Sequence, residues 1–470
     1  MAEKEPEAIV NVGRTYLVKP AIQTPTQTMF LSNLDLAWLP FNNVQRLFFY
    51  AQSPLNEHSS LIQGMKRSLS SVLVHFYPLA GRLKKGESGR TEVDCNDEGV
   101  EFSEASINIP FQDLEKDGFR RKPFFPKLVH EVNLSEDENF SIPLLLIQIT
   151  EFEGGGICIG TTLHHVIVDG NSFWHFMTSW AECGRGVPLA KPPQHSRTVC
   201  KRDDKSPLSV SYKAHEIISQ GITGAKIFKF VPDNPLSDHM KTSGSGNVEK
   251  PNEVLEKWAD PKVKTEVVYS TFCFTEDIIQ DLKQRSRAST SFVAVAAQFW
   301  RCVMRAREGR VKPPLLPIYF GICLSLGFVS TTAYTLINTH ISFAVDIIQQ
   351  AIISCTSEEQ INYLIDWAEY PDRNFITLVR DAGWKYGTNA VSSPRFPLYE
   401  IDYGWGKPLD VQTATMNEIG VMFLSCAKDG GESIFFSTCL PQHQMDGCLT
   451  SSSLRFRRMI SFCHSGDQGF

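Results

Sequence analysis

The chain has no Cys-x-x-Cys pair, no long basic block, and no apolar run approaching the roughly 18 residues a bilayer-spanning helix needs. Each absence removes a class of protein. Its 12 cysteines sit singly in strand-like and helix-like stretches, which reads as buried thiols in a reducing compartment and not as a disulfide frame or a zinc site. A formal net charge of -6 and a pI near 6.1 exclude the basic footprint of a nucleic-acid binder. The N-terminus, MAEKEPEAIVNVG, is acidic and lacks the pattern of a secretory signal, so a cytoplasmic location is expected, with no membrane span. No Gly-x-Ser-x-Gly elbow is present, which argues against a serine hydrolase of that type.

What remains is a globular chain of 470 residues, too long for one ordinary core, for which two domains or three are expected. Leu61, Met65, Leu69, Val72 and Phe76 recur at steps of three and four and predict a helix. The run Tyr77 to Arg82, YPLAGR, ends it, because proline blocks continuation and glycine frees the backbone. Val93 to Phe102 carries the turn Asn96 to Gly99 and predicts a hairpin. Ile142 to Thr150 is nearly all apolar, as in a strand covered on both faces. It turns at Gly154, Gly155 and Gly156 and returns as Ile157 to Leu163.

That returning strand runs into His164 and His165, followed by Asp169 and Gly170. Beyond the glycine, Asn171 and Ser172 are helix-capping types, and Phe173, Phe176, Met177 and Trp180 fall at helical spacing. The pattern is strand, tight turn, buried helix, with a histidine and a carboxylate at the turn. Such a pair is the chemistry of a general base and the group that orients it. The spacing alone is weak, since it is expected by chance roughly once in two chains of this length, and a histidine simply satisfied at a strand end is the competing reading.

Gly186 to Pro207 and Pro232 to Pro251 are loop-like, and the crossover between domains is placed there. The expected division is an N-terminal domain at 1–190, a linker at 191–255 and a C-terminal domain at 256–470. In the second half Thr265 to Phe274 predicts a strand, Thr275 a cap for the helix after it, and Ser291 to Arg307 a further helix. Met416 to Lys428 and Glu432 to Leu440 predict a hairpin across Asp429 to Gly431. Between them, Asp402-Tyr403-Gly404-Trp405-Gly406 is too constrained for a regular element. It offers shape and little chemistry, so Trp405 is expected to plug a core.

Taken together and in order, these pieces resemble the BAHD family of plant acyl-CoA-dependent acyltransferases. The family's His-x-x-x-Asp-Gly stands as His165 to Gly170, and its Asp-Phe-Gly-Trp-Gly as Asp402 to Gly406, with Tyr403 for Phe. YPLAGR, Leu31 to Asp35 (LSNLD) and Tyr319-Phe320-Gly321 are similar to further family segments. The resemblance implies an α/β fold of two similarly sized domains, each with a mixed sheet and flanking helices, like chloramphenicol acetyltransferase. The active site would lie in a channel between them. His165 would be the base that takes a proton from an acceptor hydroxyl or amine as it attacks the thioester. No bound cofactor, metal or acyl-enzyme is implied; acyl-CoA is the co-substrate, a small plant metabolite the acceptor, and a monomer is expected.

On the same pattern Ser392 and Ser393 are candidate donors to the oxyanion. Asp169, Gly170, Asp402, Gly404, Trp405 and Gly406 would be structural, with Asp169 facing away from substrate toward an arginine. Adjacent strand residues face opposite ways, so one histidine looks into the channel, and the spacing to Asp169 selects His165. The chain also departs from the family. Only Glu308 to Lys312 separate Arg307 from Pro313, too few for the expected strand, which leaves the arginine expected to pair with Asp169 missing and Arg310 as either its remnant neighbour or a substitute. Ile322 replaces an asparagine, and Gly447 to Ser453 looks inserted. A weakly active or inactive homologue that binds a ligand or partner is the alternative these departures favour. Val44 to Tyr50 also differs from the segment usual in members that use shikimate-like acceptors.

Overall fold

The structure is a computed structural model that describes residues 7–36, 38–39, 43–51, 58–87, 89–130, 141–197, 267–304, 320–322, 336, 339–355, 389–415, 420–428, 433–441 and 445. The segments 307–313 and 447–453, Arg310, Tyr319 and most of the expected linker lie outside these residues.

Three sheets organise what is described. The largest has the order β1 (Val10–Val18), β6 (Val100–Pro110), β8 (Leu145–Glu153), β9 (Ile157–Leu163), β3 (Val44–Tyr50), β12 (Asp410–Thr413). It is mixed, because β6 and β8 run parallel while the remaining pairs are antiparallel. The glycine turn between β8 and β9 is as predicted, with Gly154, Gly155 and Gly156 all at positive φ. Two short helices, α1 (Asn33–Leu36) and α3 (Phe111–Lys116), alternate along the chain with the longer α2 (His58–Leu73) and α4 (Gly170–Gly184). The alternation of β3 sorts its side chains between two cores. Phe48 and Tyr50 enter the core beneath α2 and α4, while Leu47 and Phe49 enter an aromatic cluster with Phe111, Phe125 and Phe152.

A smaller sheet, β2 (Gln27–Met29), β5 (Thr91–Cys95), β4 (Arg82–Lys85), β7 (Ile142–Pro143), stands beside it. This corrects the predicted hairpin at 93–102. The turn Asn96 to Gly99 does not pair its flanks but hands the chain from β5 in one sheet to β6 in another. Gly81 of YPLAGR is required by a close approach, since a Cβ there would fall 2.2 Å from the Asp94 carbonyl oxygen.

The second half forms a mixed sheet in the order β10 (Val267–Phe274), β14 (Ile434–Pro441), β13 (Val421–Cys426), β11 (Asn389–Val391). Helices α5 (Glu276–Ser286), α6 (Ser291–Met304) and α7 (Ile341–Cys355) supply its core through Ile279, Leu282, Val295, Val345 and Ile348. The predicted hairpin is present as β13 and β14. The late segment crosses over, however. Leu398, Ile401, Tyr403 and Val411 are buried in the first core, and β12 adds an edge strand to the first sheet by pairing with β3. Arg121 fixes that edge by donating to the Thr413 carbonyl at 2.7 Å.

Candidate active site

β9 is buried along its whole length and ends at Leu163, so both histidines stand on the turn beyond it and not on the strand. Alternation therefore does not choose between them; the turn does. The His164 backbone N–H donates to the Leu144 carbonyl at 2.9 Å, and its own carbonyl accepts from Ile167 at 3.1 Å. Val166, Ile167 and Val168 are fully buried and anchor the loop. His164 is buried too, and its Nδ1 accepts the Val166 N–H at 3.2 Å. That bond requires an unprotonated Nδ1. Burial, aided by the neighbouring His165, lowers the His164 pKa to about 4 and keeps the ring a neutral structural acceptor.

His165 is held by a face. Its imidazole stacks on Trp38, with ring centroids 4.5 Å apart and planes at 22°. Burial is the main cause that lowers its pKa from 6.5 to about 4; the positive charge of Arg46 acts the same way, while the His165 and Val168 backbone oppose it. The ring is thus neutral across the physiological range and able to accept a proton.

Asp169 caps α4. Its φ of -92° and ψ of -176° are extended, and its Oδ1 accepts the Ser172 N–H at 2.8 Å. The helix begins at Gly170, so the expectation that Asn171 or Ser172 would cap it is corrected to Asp169, just before them in the chain. Ser172 has another task. Its hydroxyl lies 2.9 Å from both the N–H and the carbonyl oxygen of Gly321, tying the start of α4 to the second half. Gly170 faces a further contact from that half, because a Cβ there would come within 2.8 Å of the Phe396 ring.

The Asp402 to Gly406 segment lies at the other end of α4. Asp402 Oδ1 accepts the N–H groups of Gly404 at 2.7 Å and Gly406 at 3.0 Å, and both glycines have φ above +100°. Trp405 stacks on Tyr403 at 5.3 Å, and Tyr403 meets Trp180 of α4 edge-on at 5.1 Å. Arg185, just past α4, donates to the Asp402 carbonyl. A Cβ on Gly184 would come within 3.0 Å of Tyr403. At 1.5 Å per residue, α4 spans about 20 Å, so these contacts lie far from the turn that carries His165.

Ser392 and Ser393 directly follow β11, whose Val391 pairs with Phe423 of β13. Ser392 has a left-handed φ of +72°, and the Ser393 hydroxyl accepts the Arg395 N–H at 3.2 Å. This loop leads to Phe396 over Gly170, so it spans the two halves beside the histidine turn. Among the described residues, no hydrogen bond joins either serine to His165.

Sequence reasoning missed two features. One is a buried clamp behind LSNLD. Asp35 pairs with Arg197 at 2.9 Å, accepts the Ser32 N–H at 2.7 Å, and accepts the Ile322 N–H at 3.0 Å, while Arg197 also donates to the Phe320 carbonyl. Ile322 contributes its backbone here and a fully buried side chain. The other is Arg46, a cation that leads directly into the apolar run Leu47 to Tyr50 of β3, which was the available signal.

Two sheet-and-helix halves, each with a mixed sheet, joined by an exchanged strand and meeting beside a histidine turn, define an α/β fold of the chloramphenicol acetyltransferase class. Vinorine synthase superposes with a TM-score of 0.65 at 20% identity, covering 96% of this chain and 99% of that one. F. graminearum TRI101 complexed with ethyl coenzyme A gives 0.67 at 14% identity over 93% and 99%. The chain belongs to the Transferase family, the BAHD acyltransferases, whose family model matches residues 8–451, and it is an acyltransferase. The hydroxycinnamoyltransferase of Narcissus pseudonarcissus is 28% identical over 462 residues, covering 93% of this chain and 98% of that protein. The shikimate O-hydroxycinnamoyltransferase of Nicotiana tabacum is 28% identical over 459 residues, covering 91% and 96%.

Proposed function

We propose that the protein transfers an acyl group from acyl-CoA to a hydroxyl or amine of a small plant metabolite, with His165 as general base. The observation that carries this reading is the division of labour at the turn. His164 is committed to the backbone and Asp169 to the helix cap, whereas His165 stacks on Trp38 with a neutral imidazole.

In the proposed step the acceptor O–H or N–H gives its proton to His165 as its lone pair bonds to the thioester carbonyl carbon. The carbonyl π electrons move to oxygen. Ser392 and Ser393 are the candidate donors to that oxyanion; a hydroxyl that accepts a bond, as Ser393 does, still has its hydrogen to give. Collapse re-forms the carbonyl and breaks the carbon–sulfur bond. The CoA thiolate leaves and takes the proton from the imidazolium, which returns His165 to its starting form without an acyl-enzyme. A TRI101 structure holding coenzyme A supports CoA as the carrier in this fold.

The test is release of free CoA thiol. It should require acyl-CoA and acceptor together, and His165→Ala should lower it at least about 100-fold with an unchanged circular dichroism spectrum. Ligand-induced thermal stabilisation without any turnover in the unmodified protein would instead support the inactive, ligand-binding reading.

A further inference from the structure

Arg46 lies on β3 with Phe48 and Tyr50 on the same face, and it looks toward α4. Its guanidinium carbon is 5.8 Å from the ring centre of Phe173 on α4 and 5.0 Å from that of Phe423 on β13. The two aromatic contacts come from opposite halves of the molecule and hold the planar cation by its surroundings. One N–H group donates to the Gln45 carbonyl at 2.8 Å. Among the described residues no carboxylate pairs with it, and its charge is felt by His165.

A cation there is unfavourable for the proposed chemistry on its own. Accepting a proton makes His165 positive, and a neighbouring guanidinium opposes that change. A negative group carried by the substrate would remove the conflict, satisfy the remaining N–H edge, and match the fork geometry that arginine presents to carboxylates.

We infer that Arg46 is a specificity-determining residue that binds a carboxylate of the substrate beside His165. The inference deepens the acyl-transfer reading and rests on it. The carboxylate can belong to a hydroxy-acid acceptor or to a dicarboxylic acyl donor, and neutral partners of either kind would be discriminated against.

Binding separates this inference from the catalytic one, because it needs no turnover. Calorimetry compares shikimate and 3-hydroxybenzoate with their methyl esters as acceptors, and malonyl-CoA with acetyl-CoA as donors. In the unmodified protein the acid of one pair should bind at least tenfold more tightly than its neutral counterpart. The preference should survive His165→Ala, vanish in Arg46→Gln, and be partly kept in Arg46→Lys. No preference in any pair of the unmodified protein overturns the inference without reference to any variant. A preference that survives Arg46→Gln also overturns it. So does an Arg46→Gln effect confined to kcat and equal for acidic and neutral substrates, which would make Arg46 an oxyanion donor. Failure of all turnover with the acid preference intact would overturn the acyl-transfer reading and leave the carboxylate site standing.

Discussion

His165 and Arg46 set the protonation behaviour of the site between them. As the proposed base, His165 works when neutral, and burial together with the Arg46 charge lowers its pKa to about 4. Activity should therefore be lost as pH falls, but late. The acid limb of kcat/KM is expected below about pH 5, where an ordinary imidazole would give one near 6.5. A pH profile of the free enzyme checks this directly, and a limb near 6.5 would mean the imidazole is solvated in solution. An acidic substrate that neutralises Arg46 should move the limb of kcat, which reports the complex, to higher pH than that of kcat/KM. At the same turn Gly170→Ala places a Cβ against the Phe396 ring. The ring must shift, so a loss of about 1–3 kcal/mol is expected by denaturant melting, and Gly170→Ala combined with Phe396→Leu should recover part of it. His165 was singled out as the candidate base by its spacing to Asp169. Arg46 was readable only as a cation at the head of an apolar run, because which side chains surround a strand residue is decided by partners distant in sequence.

Helix α4 carries a demand at each end. At its start Asp169 closes the cap and Ser172 reaches Gly321; at its end Gly184 and Arg185 receive Tyr403 and Asp402. Removing the cap by Asp169→Ala should cost about 1 kcal/mol or more in stability, read as a lower melting temperature with parallel loss of activity. Gly404→Ala tests the other end. The residue sits at φ +106°, and the substitution should destabilise by about 1–3 kcal/mol while the binding of CoA changes little, since the strain lies about 20 Å from the base. The helix, its glycine turn and the paired strands before it were legible because each follows from local periodicity. The hairpin expected at 93–102 was not, because Asn96 to Gly99 supply a turn without saying which strands its flanks will join.

At the scale of the whole molecule the late segment defeats a division by chain order, since β12 and the residues around Tyr403 complete the first sheet and core. Strand exchange carries no composition signal; Asp410 to Thr413 are ordinary edge residues whose partner is chosen by the fold. The halves so joined bury several imidazoles as neutral groups. His164, His165 and His195 are each lowered from 6.5 to about 4, mainly by burial, and His130 and His175 are lowered in the same direction. Above pH 6.5 these rings are neutral whether the chain is folded or not, and they contribute no pH dependence. Below it the unfolded chain takes up protons that the folded chain refuses, so stability falls, and for His164, His165 and His195 it goes on falling until the folded rings titrate near pH 4. For His164 alone, which is almost fully buried, the loss by that point is on the order of 3 kcal/mol. The melting temperature should accordingly drop between pH 6.5 and about 5, before carboxylates protonate in number. Calorimetric unfolding in buffers of different ionisation enthalpy should show net proton uptake in that window. His195→Gln, which removes a half-buried ring hydrogen-bonded to the His75 carbonyl at 2.8 Å, should reduce the uptake. Unfolding with no proton uptake between pH 6.5 and 5 would mean that these imidazoles are charged in the folded protein, and the neutral base at His165 would fall with them.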